Sequence, residues 1–161
     1  MLTYEDIQSK IITPGQASGI FTESFRQKNR IVFTNGCFDL LHRGHIYYLS
    51  KARELGDILV IGLNSDASVT RLKGAGRPLN PVRARAEVLG ALVMIDYVII
   101  FEEDTPINLI SAIRPDMLVK GGDYEKENIV GYREVISWGG EVVTIPLLEG
   151  YSTTSMIKKS S

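Results

Sequence analysis

The chain has one cysteine, Cys37, which excludes an internal disulfide and fits a reducing compartment. It has almost no net charge: 18 Lys and Arg against 19 Asp and Glu, spread along the sequence. The basic stripe of a nucleic-acid binder is therefore missing. No apolar run approaches the ~20 residues that a bilayer-crossing helix needs, so no membrane association is expected. The opening Met1-Leu2-Thr3-Tyr4-Glu5-Asp6 lacks a basic segment followed by an apolar one, so the expected location is cytoplasmic rather than secreted. No Gly-Lys-Ser/Thr triplet occurs, which removes a Walker A loop. No Gly-x-Gly-x-x-Gly follows the first apolar run, which disfavours a dinucleotide redox fold. Histidine is scarce too, and both copies, His42 and His45, fall in one short motif.

What remains is an ordinary globular composition, 44% apolar and 23% charged over 161 residues, enough for one domain with a real core. From residue 31 onward, apolar β-branched runs alternate with helical periodicity. Strands are expected at 31–34, 57–63, 97–101, 116–120 and 141–145, and helices at 44–55, 83–95, 106–113, 128–138 and 153–159. Nearly all-apolar strands separated by helices predict an α/β fold, a Rossmann-like doubly wound five-stranded parallel sheet with helices on both faces. Residues 1–29 read as an N-terminal helical extension, with a helix starting at Thr13-Pro14 and an apolar face of Ala17, Ile20, Phe21 and Phe25. Residues 30–161 form the main domain. Ligands of such sheets bind beyond the strands' carboxyl ends, so residues just after each strand are the candidates for chemistry.

The stretch Ile31–His45 runs from a strand through Asn35-Gly36 into a helix. That geometry aims free N–H groups and a positive dipole end at one spot, a seat for phosphate. His42 and His45, three apart, share nearly one helix face. Both imidazoles are read as donating to nucleotide phosphates, most strongly as charge develops in the transition state. A helix-capping or core pair is the plain alternative, and a zinc site would need Cys37 and Asp39 to complete it. Gly44 would let a ligand approach the backbone closely.

Four more segments reach the same edge. Lys73 is expected in a loop after the second strand, beside the Gly/Pro-rich 74–81 segment that could close over a substrate. Arg85 heads the apolar stripe Val88, Leu89 and Leu92, so it needs an anionic partner, either a substrate phosphate or a structural carboxylate. Arg83 should face solvent. Lys120-Gly121-Gly122-Asp123 follows the fourth strand; it is either an ordinary turn or backbone passing a ligand, with Asp123 reading a base or sugar and Lys120 near a phosphate. Ser152-Thr153-Thr154 opens a last helix whose N-terminus either is merely capped or holds the outer phosphates of a triphosphate. Cys37 has no adjacent base to make it a nucleophile.

The strings Phe33-Thr34-Asn35-Gly36-Cys37-Phe38-Asp39-Leu40-Leu41-His42-Arg43-Gly44-His45, Gly62-Leu63-Asn64-Ser65-Asp66, Arg71-Leu72-Lys73-Gly74, Val119-Lys120-Gly121-Gly122-Asp123-Tyr124 and Glu149-Gly150-Tyr151-Ser152-Thr153-Thr154 resemble the cytidylyltransferase-like nucleotidyltransferase superfamily. Within it they are most similar to bacterial D-glycero-β-D-manno-heptose 1-phosphate adenylyltransferases. The family tends to carry an arginine where this chain has Tyr151, and its glycerol-3-phosphate cytidylyltransferases have one in place of Leu147. The resemblance implies transfer of AMP from ATP to the sugar phosphate, giving ADP-heptose and pyrophosphate, by in-line attack without a covalent enzyme intermediate. It implies His42, His45, Lys73, Arg85 and Thr153 as catalytic residues. The nucleotide pocket is expected to draw on Asn35, Gly36, Cys37, Phe38, Asp39, His42, Gly44, His45, Lys120, Gly121, Gly122, Asp123, Ser152, Thr153 and Thr154. ATP and the sugar phosphate are the expected partners, with Mg²⁺ held by phosphate oxygens and water rather than by the protein. The superfamily is frequently dimeric, and Trp138 with the N-terminal apolar face is a candidate interface. The competing readings are a cytidylyltransferase or other nucleotidyltransferase acting on a different phosphate ester, and a non-catalytic nucleotide sensor.

Overall fold

Apolar strands alternating with helices build one all-parallel, six-stranded sheet in the computed structural model, which describes residues 1–161. The strands are β1 (Ile11–Ile12), β2 (Ile31–Gly36), β3 (Ile58–Asn64), β4 (Tyr97–Phe101), β5 (Met117–Gly121) and β6 (Glu141–Ile145). They lie in the order β1-β4-β3-β2-β5-β6. The five strands expected from the sequence are present, and β1 is a sixth. It has two residues, Ile11 and Ile12, in register with Val98 and Ile99, too few to show any periodicity. Residues 1–29 thus carry an edge strand as well as α1 (Tyr4–Ser9), α2 (Pro14–Ile20) and α3 (Glu23–Lys28).

Successive β2 residues alternate between two cores, as a strand buried on both faces requires. Val32 belongs to a cluster with Leu49, Leu59, Ile61 and Leu89, covered by α4 (Arg43–Arg53) and α6 (Val82–Gly90). Ile31 and Phe33 belong to another with Phe21, Val60, Ile99, Ile110 and Val135, covered by α2, α7 (Ile107–Ile113) and α8 (Tyr132–Ser137). Ala17 and Phe21 are fully buried here, and Trp138 packs on the same cluster while its Nε1 donates to the Pro115 carbonyl at 2.9 Å. Of the surface suggested as a dimer interface, Ala17 and Phe21 are spent on this core, while Ile20, Phe25 and Trp138 stay partly exposed.

Two helices complete the frame: α5 (Asp66–Lys73) and α9 (Thr153–Ser160). Helix α5 replaces the loop expected around Lys73. Ser65 caps it by accepting from the Ser68 N–H, and Gly74 at φ 97° ends it. Only Ser68 and Val69 are buried in it, so no apolar stripe marked it in the sequence. Strand order reverses at β2, which lies between β3 and β5. The crevice beyond the carboxyl ends of β2 and β5 is where such sheets take their ligands.

Candidate active site

The two histidines are fixed by the start of α4. His42 is its N-cap, and its Nδ1 accepts the Gly44 N–H at 3.0 Å. The His42 N–H in turn donates to Nδ1 of His45 at 3.3 Å, so the pair forms a capping box in which imidazoles replace the usual oxygens. The rings lie 3.9 Å apart at 35°, with Phe38 against His45 and Tyr151 stacked on His42. The capping alternative is thus realised, and it sets the chemistry. An Nδ1 that accepts a backbone N–H leaves the ring proton on Nε2. Burial lowers the pKa of His42, and burial reinforced by the His42 charge pulls His45 down to about 4. Both rings are therefore neutral Nε2–H donors at neutral pH. They line the crevice rather than the apolar interior.

The crevice has two lobes that share Asn35, Gly36, Cys37, Phe38, His45, Lys73, Lys120, Tyr124, Thr153 and Thr154. The smaller, about 390 Å³, adds His42, Gly44, Tyr48, Gly121, Leu147, Leu148, Tyr151 and Ser152. The larger, about 610 Å³, adds Asp39, Asn64, Leu72, Arg77, Asp104, Thr105, Pro106, Asn128, Ile129 and Val130. Lys73 and Lys120 form no ion pair within the chain. Burial, with the nearby Lys73 charge adding to it, lowers the pKa of Lys120. Ser152 caps α9 through a 3.0 Å bond from the Ser155 N–H, while the N–H groups of Thr153 and Thr154 have no acceptor in the chain. Neutral donors, unpaired cations and a helix N-terminus thus face one space, a combination suited to a polyphosphate.

A family model described as cytidylyltransferase-like matches residues 33–159, the span that contains all of these groups. The chain belongs to that family. The bifunctional protein HldE of Nitrobacter hamburgensis is 63% identical over 131 residues, covering 81% of this chain and 27% of that protein. Its namesake in Pelobacter propionicus is 53% identical over 158 residues, covering 98% of this chain and 32% of that protein. The chain spans about a third of the length of these curated relatives. Among solved structures, a lipopolysaccharide core biosynthesis protein of Thermoplasma volcanium superposes with a TM-score of 0.62 at 25% identity, over 77% of this chain and 99% of its own. The pantoate-beta-alanine ligase of Francisella tularensis, at 13% identity and a TM-score of 0.58, shares the fold.

A cytidylyltransferase-like domain is a nucleotidyltransferase, and against that activity several expected roles change. Arg85 takes the structural partner of its two alternatives. Its Nη2 meets Asp66 Oδ1 at 2.7 Å, its Nη1 donates to the Cys37 and Asn64 carbonyls at 2.8 Å, and its Nε donates to the Asn80 carbonyl at 2.9 Å. It is 2% exposed and lines neither lobe, and its guanidinium ties the ends of β2 and β3 to the segment before α6. Arg83 is exposed and paired with Glu87, as expected. Asp39 lines the larger lobe, but its oxygens accept from Arg77, Leu79 and Asn80, leaving it no free edge for a nucleotide. Burial pushes its pKa up, yet these donors outweigh that effect and hold the carboxyl below its usual value. Gly44 makes room for a ring: a Cβ there would stand 2.8 Å from His42 Cε1 and 3.2 Å from Tyr151 Cβ. Gly121 likewise lies against Leu147 and Tyr48. Gly122 and the exposed Asp123 line neither lobe, although Lys120 and Tyr124 on either side of them line both. Cys37 stays a thiol, its pKa raised by burial.

Sequence reasoning missed Tyr48 and Arg77. The Tyr48 hydroxyl meets Thr34 Oγ1 at 2.5 Å and donates to the Val119 carbonyl at 3.1 Å, tying α4 to β2 and β5 beneath the crevice. It belongs to the apolar stripe of α4 and therefore reads as core. The partner of Arg77 is Asp39, and no local spacing could have linked them.

Proposed function

We propose that this domain transfers AMP from ATP to a sugar 1-phosphate, D-glycero-β-D-manno-heptose 1-phosphate, releasing pyrophosphate and ADP-heptose in the cytoplasm. The observation that carries this reading is the imidazole pair, each Nδ1 held by a backbone N–H, lining the same crevice as Lys73, Lys120 and the free α9 N-terminus. The heptose rests on the sequence strings already quoted and on the high identity to proteins named HldE.

In this reading the smaller lobe holds the nucleotide. Leu147, Leu148 and Tyr151 face the base, and Asn35, Gly36, Cys37 and Phe38 form the floor beneath the phosphates. An oxygen of the sugar phosphate attacks the α-phosphorus in line, the α–β bridging bond breaks, and pyrophosphate leaves. His42 and His45 donate to the oxygens on which charge builds up. Lys73 and Lys120 neutralise the approaching anions, and Thr153 and Thr154 hold the departing pyrophosphate at the helix N-terminus. The donor set does not fit a resident metal ion. No group of three His, Cys, Asp or Glu side chains is clustered, Asp39 is fully engaged, and Asp104 pairs with Arg71 at 2.7 Å. The Mg²⁺ that accompanies ATP is accordingly assigned to phosphate oxygens and water.

The test is pyrophosphate release from ATP or CTP with a panel of sugar 1-phosphates and glycerol 3-phosphate. Release with ATP and the heptose phosphate supports the proposal. Release only with CTP or another ester moves it to the alternative transferases, and release with none leaves a nucleotide sensor.

A further inference from the structure

We infer that Arg77 grips the phosphate of the incoming sugar, and that buried Asp39 is the residue that positions it. The inference deepens the adenylyl-transfer reading and rests on it for the identity of the second substrate. Arg77 lies in the segment between α5 and α6, which wraps around one carboxylate. Asp39 takes the Arg77 Nε at 2.9 Å, the Leu79 N–H at 2.8 Å and the Asn80 N–H at 2.9 Å, while Asn80 Nδ2 donates to the Asp39 carbonyl at 2.8 Å. The Asp39 side chain is 1% exposed and that of Arg77 21%.

Only Nε of the guanidinium is held. Nη1 and Nη2 have no acceptor in the chain, and no buried side-chain nitrogen lacks a partner, so both are accessible to solvent on a residue that lines the larger lobe. Arg85 provides the internal control. There Nε, Nη1 and Nη2 all meet protein acceptors and the residue lines neither lobe, which is what a purely structural arginine looks like. A guanidinium clamped by one edge presents its other edge in a fixed plane, the fork that matches two oxygens of a phosphate. Asp39 balances the charge of Arg77, but Lys73 and Lys120 line the same lobe without an ion pair, so the lobe keeps an excess of positive charge for an incoming anion. The neighbouring Asn64, Thr105 and Asn128 supply the polar wall that a sugar's hydroxyls need.

The experiment compares wild type with Arg77→Lys and Arg77→Gln. Folding is checked by circular dichroism, KM is measured separately for ATP and for the sugar 1-phosphate, and binding of the sugar 1-phosphate alone is followed by calorimetry. Losing a charge-assisted hydrogen bond is expected to raise KM and Kd for the sugar phosphate about 10- to 100-fold, with KM for ATP changed less than about threefold. Lysine keeps a charge for Asp39 but lacks the fork, so Arg77→Lys decides the matter should the glutamine variant fail to fold. Asp39→Asn, which still accepts from Leu79 and Asn80, is expected to shift the same constant in the same direction by a smaller factor. A folded Arg77→Lys protein with unchanged sugar-phosphate affinity, or with equal losses for both substrates, overturns the inference. Calorimetry needs no turnover, so a wild-type enzyme that binds the sugar phosphate but releases no pyrophosphate refutes the adenylyl-transfer reading and leaves the Arg77 comparison standing.

Discussion

The two walls of the crevice are built on opposite plans. The histidine wall, β2 into α4, is organised over three residues: each imidazole is held by a backbone group of its own helix turn. The arginine wall, from β3 to α6, is organised across the fold. Asp39 and Arg77 are 38 residues apart, and Arg85 and the Cys37 carbonyl 48. The first wall offers neutral donors whose tautomer is set by local backbone geometry. The second offers permanent cations whose aim depends on distant partners. Damage to the first should therefore fall on chemistry, and damage to the second on architecture or on affinity for one substrate.

Arg85→Met should show the largest effect and the plainest architectural one. It strips the donor from the Cys37 and Asn64 carbonyls at the ends of β2 and β3, from the Asn80 carbonyl before α6, and from Asp66. Removing one member of a buried charged network costs about 3–5 kcal/mol. Urea unfolding is expected to show a loss of unfolding free energy of that size, with residual activity following the folded fraction. A stable variant that lost only turnover would return Arg85 to the catalytic set.

His45→Ala is the matching test of the other wall. Loss of one preorganised donor lowers kcat by ~10²-fold or more. The lost backbone acceptor weakens the helix start by only about 1 kcal/mol. Steady-state kinetics beside urea unfolding should show this inverse of the Arg85 pattern, and near-normal kcat in folded protein would remove the catalytic role.

Gly44→Ala bears on the histidine wall without replacing an imidazole. The new Cβ would stand 2.8 Å from His42 Cε1 and 3.2 Å from Tyr151 Cβ, so the ring between His45 and Tyr151 has to shift. The stability loss is expected near the low end of overpacking, about 1 kcal/mol, with kcat falling further than that cost alone explains. Unchanged kcat would show that the position of the His42 ring is immaterial.

The same contrast explains what could be read in advance. The five long strands, the strand-to-helix turn, both histidines and the Ser152-Thr153-Thr154 cap are local patterns, and each stands where its spacing placed it. Helix α5 lacks an apolar stripe and β1 lacks length, so neither produced a signal. The partner of Arg85 was left between substrate and carboxylate because a buried cation announces a need but not an address. Asp39 looked like a member of the phosphate loop, since nothing near it in sequence shows that Leu79, Asn80 and Arg77 surround its carboxylate. Gly44 reads as room for a ligand beside the backbone, whereas the group the structure places there is the chain's own His42 ring.

The walls also differ in the pH at which they contribute to stability. The pKa of His45 falls from 6.5 to about 4, so between those values the unfolded chain binds more protons than the folded one and stability rises with pH. The contribution of its neutral ring is complete above pH 6.5 and is lost as pH falls towards 4. Asp39, held below its ordinary 3.8, contributes above that pH and loses its contribution only in stronger acid. Urea unfolding of wild type and His45→Asn at pH 7.5, 6 and 5 should therefore give a stability difference that narrows as pH falls. His42, shifted in the same direction, remains in both proteins, so its own contribution cancels in the difference. A difference constant over that range would mean that His45 is as easily protonated in the folded chain as in the unfolded one. Its Nδ1 would then not be a standing acceptor, and the tautomer on which the donor role rests would be lost.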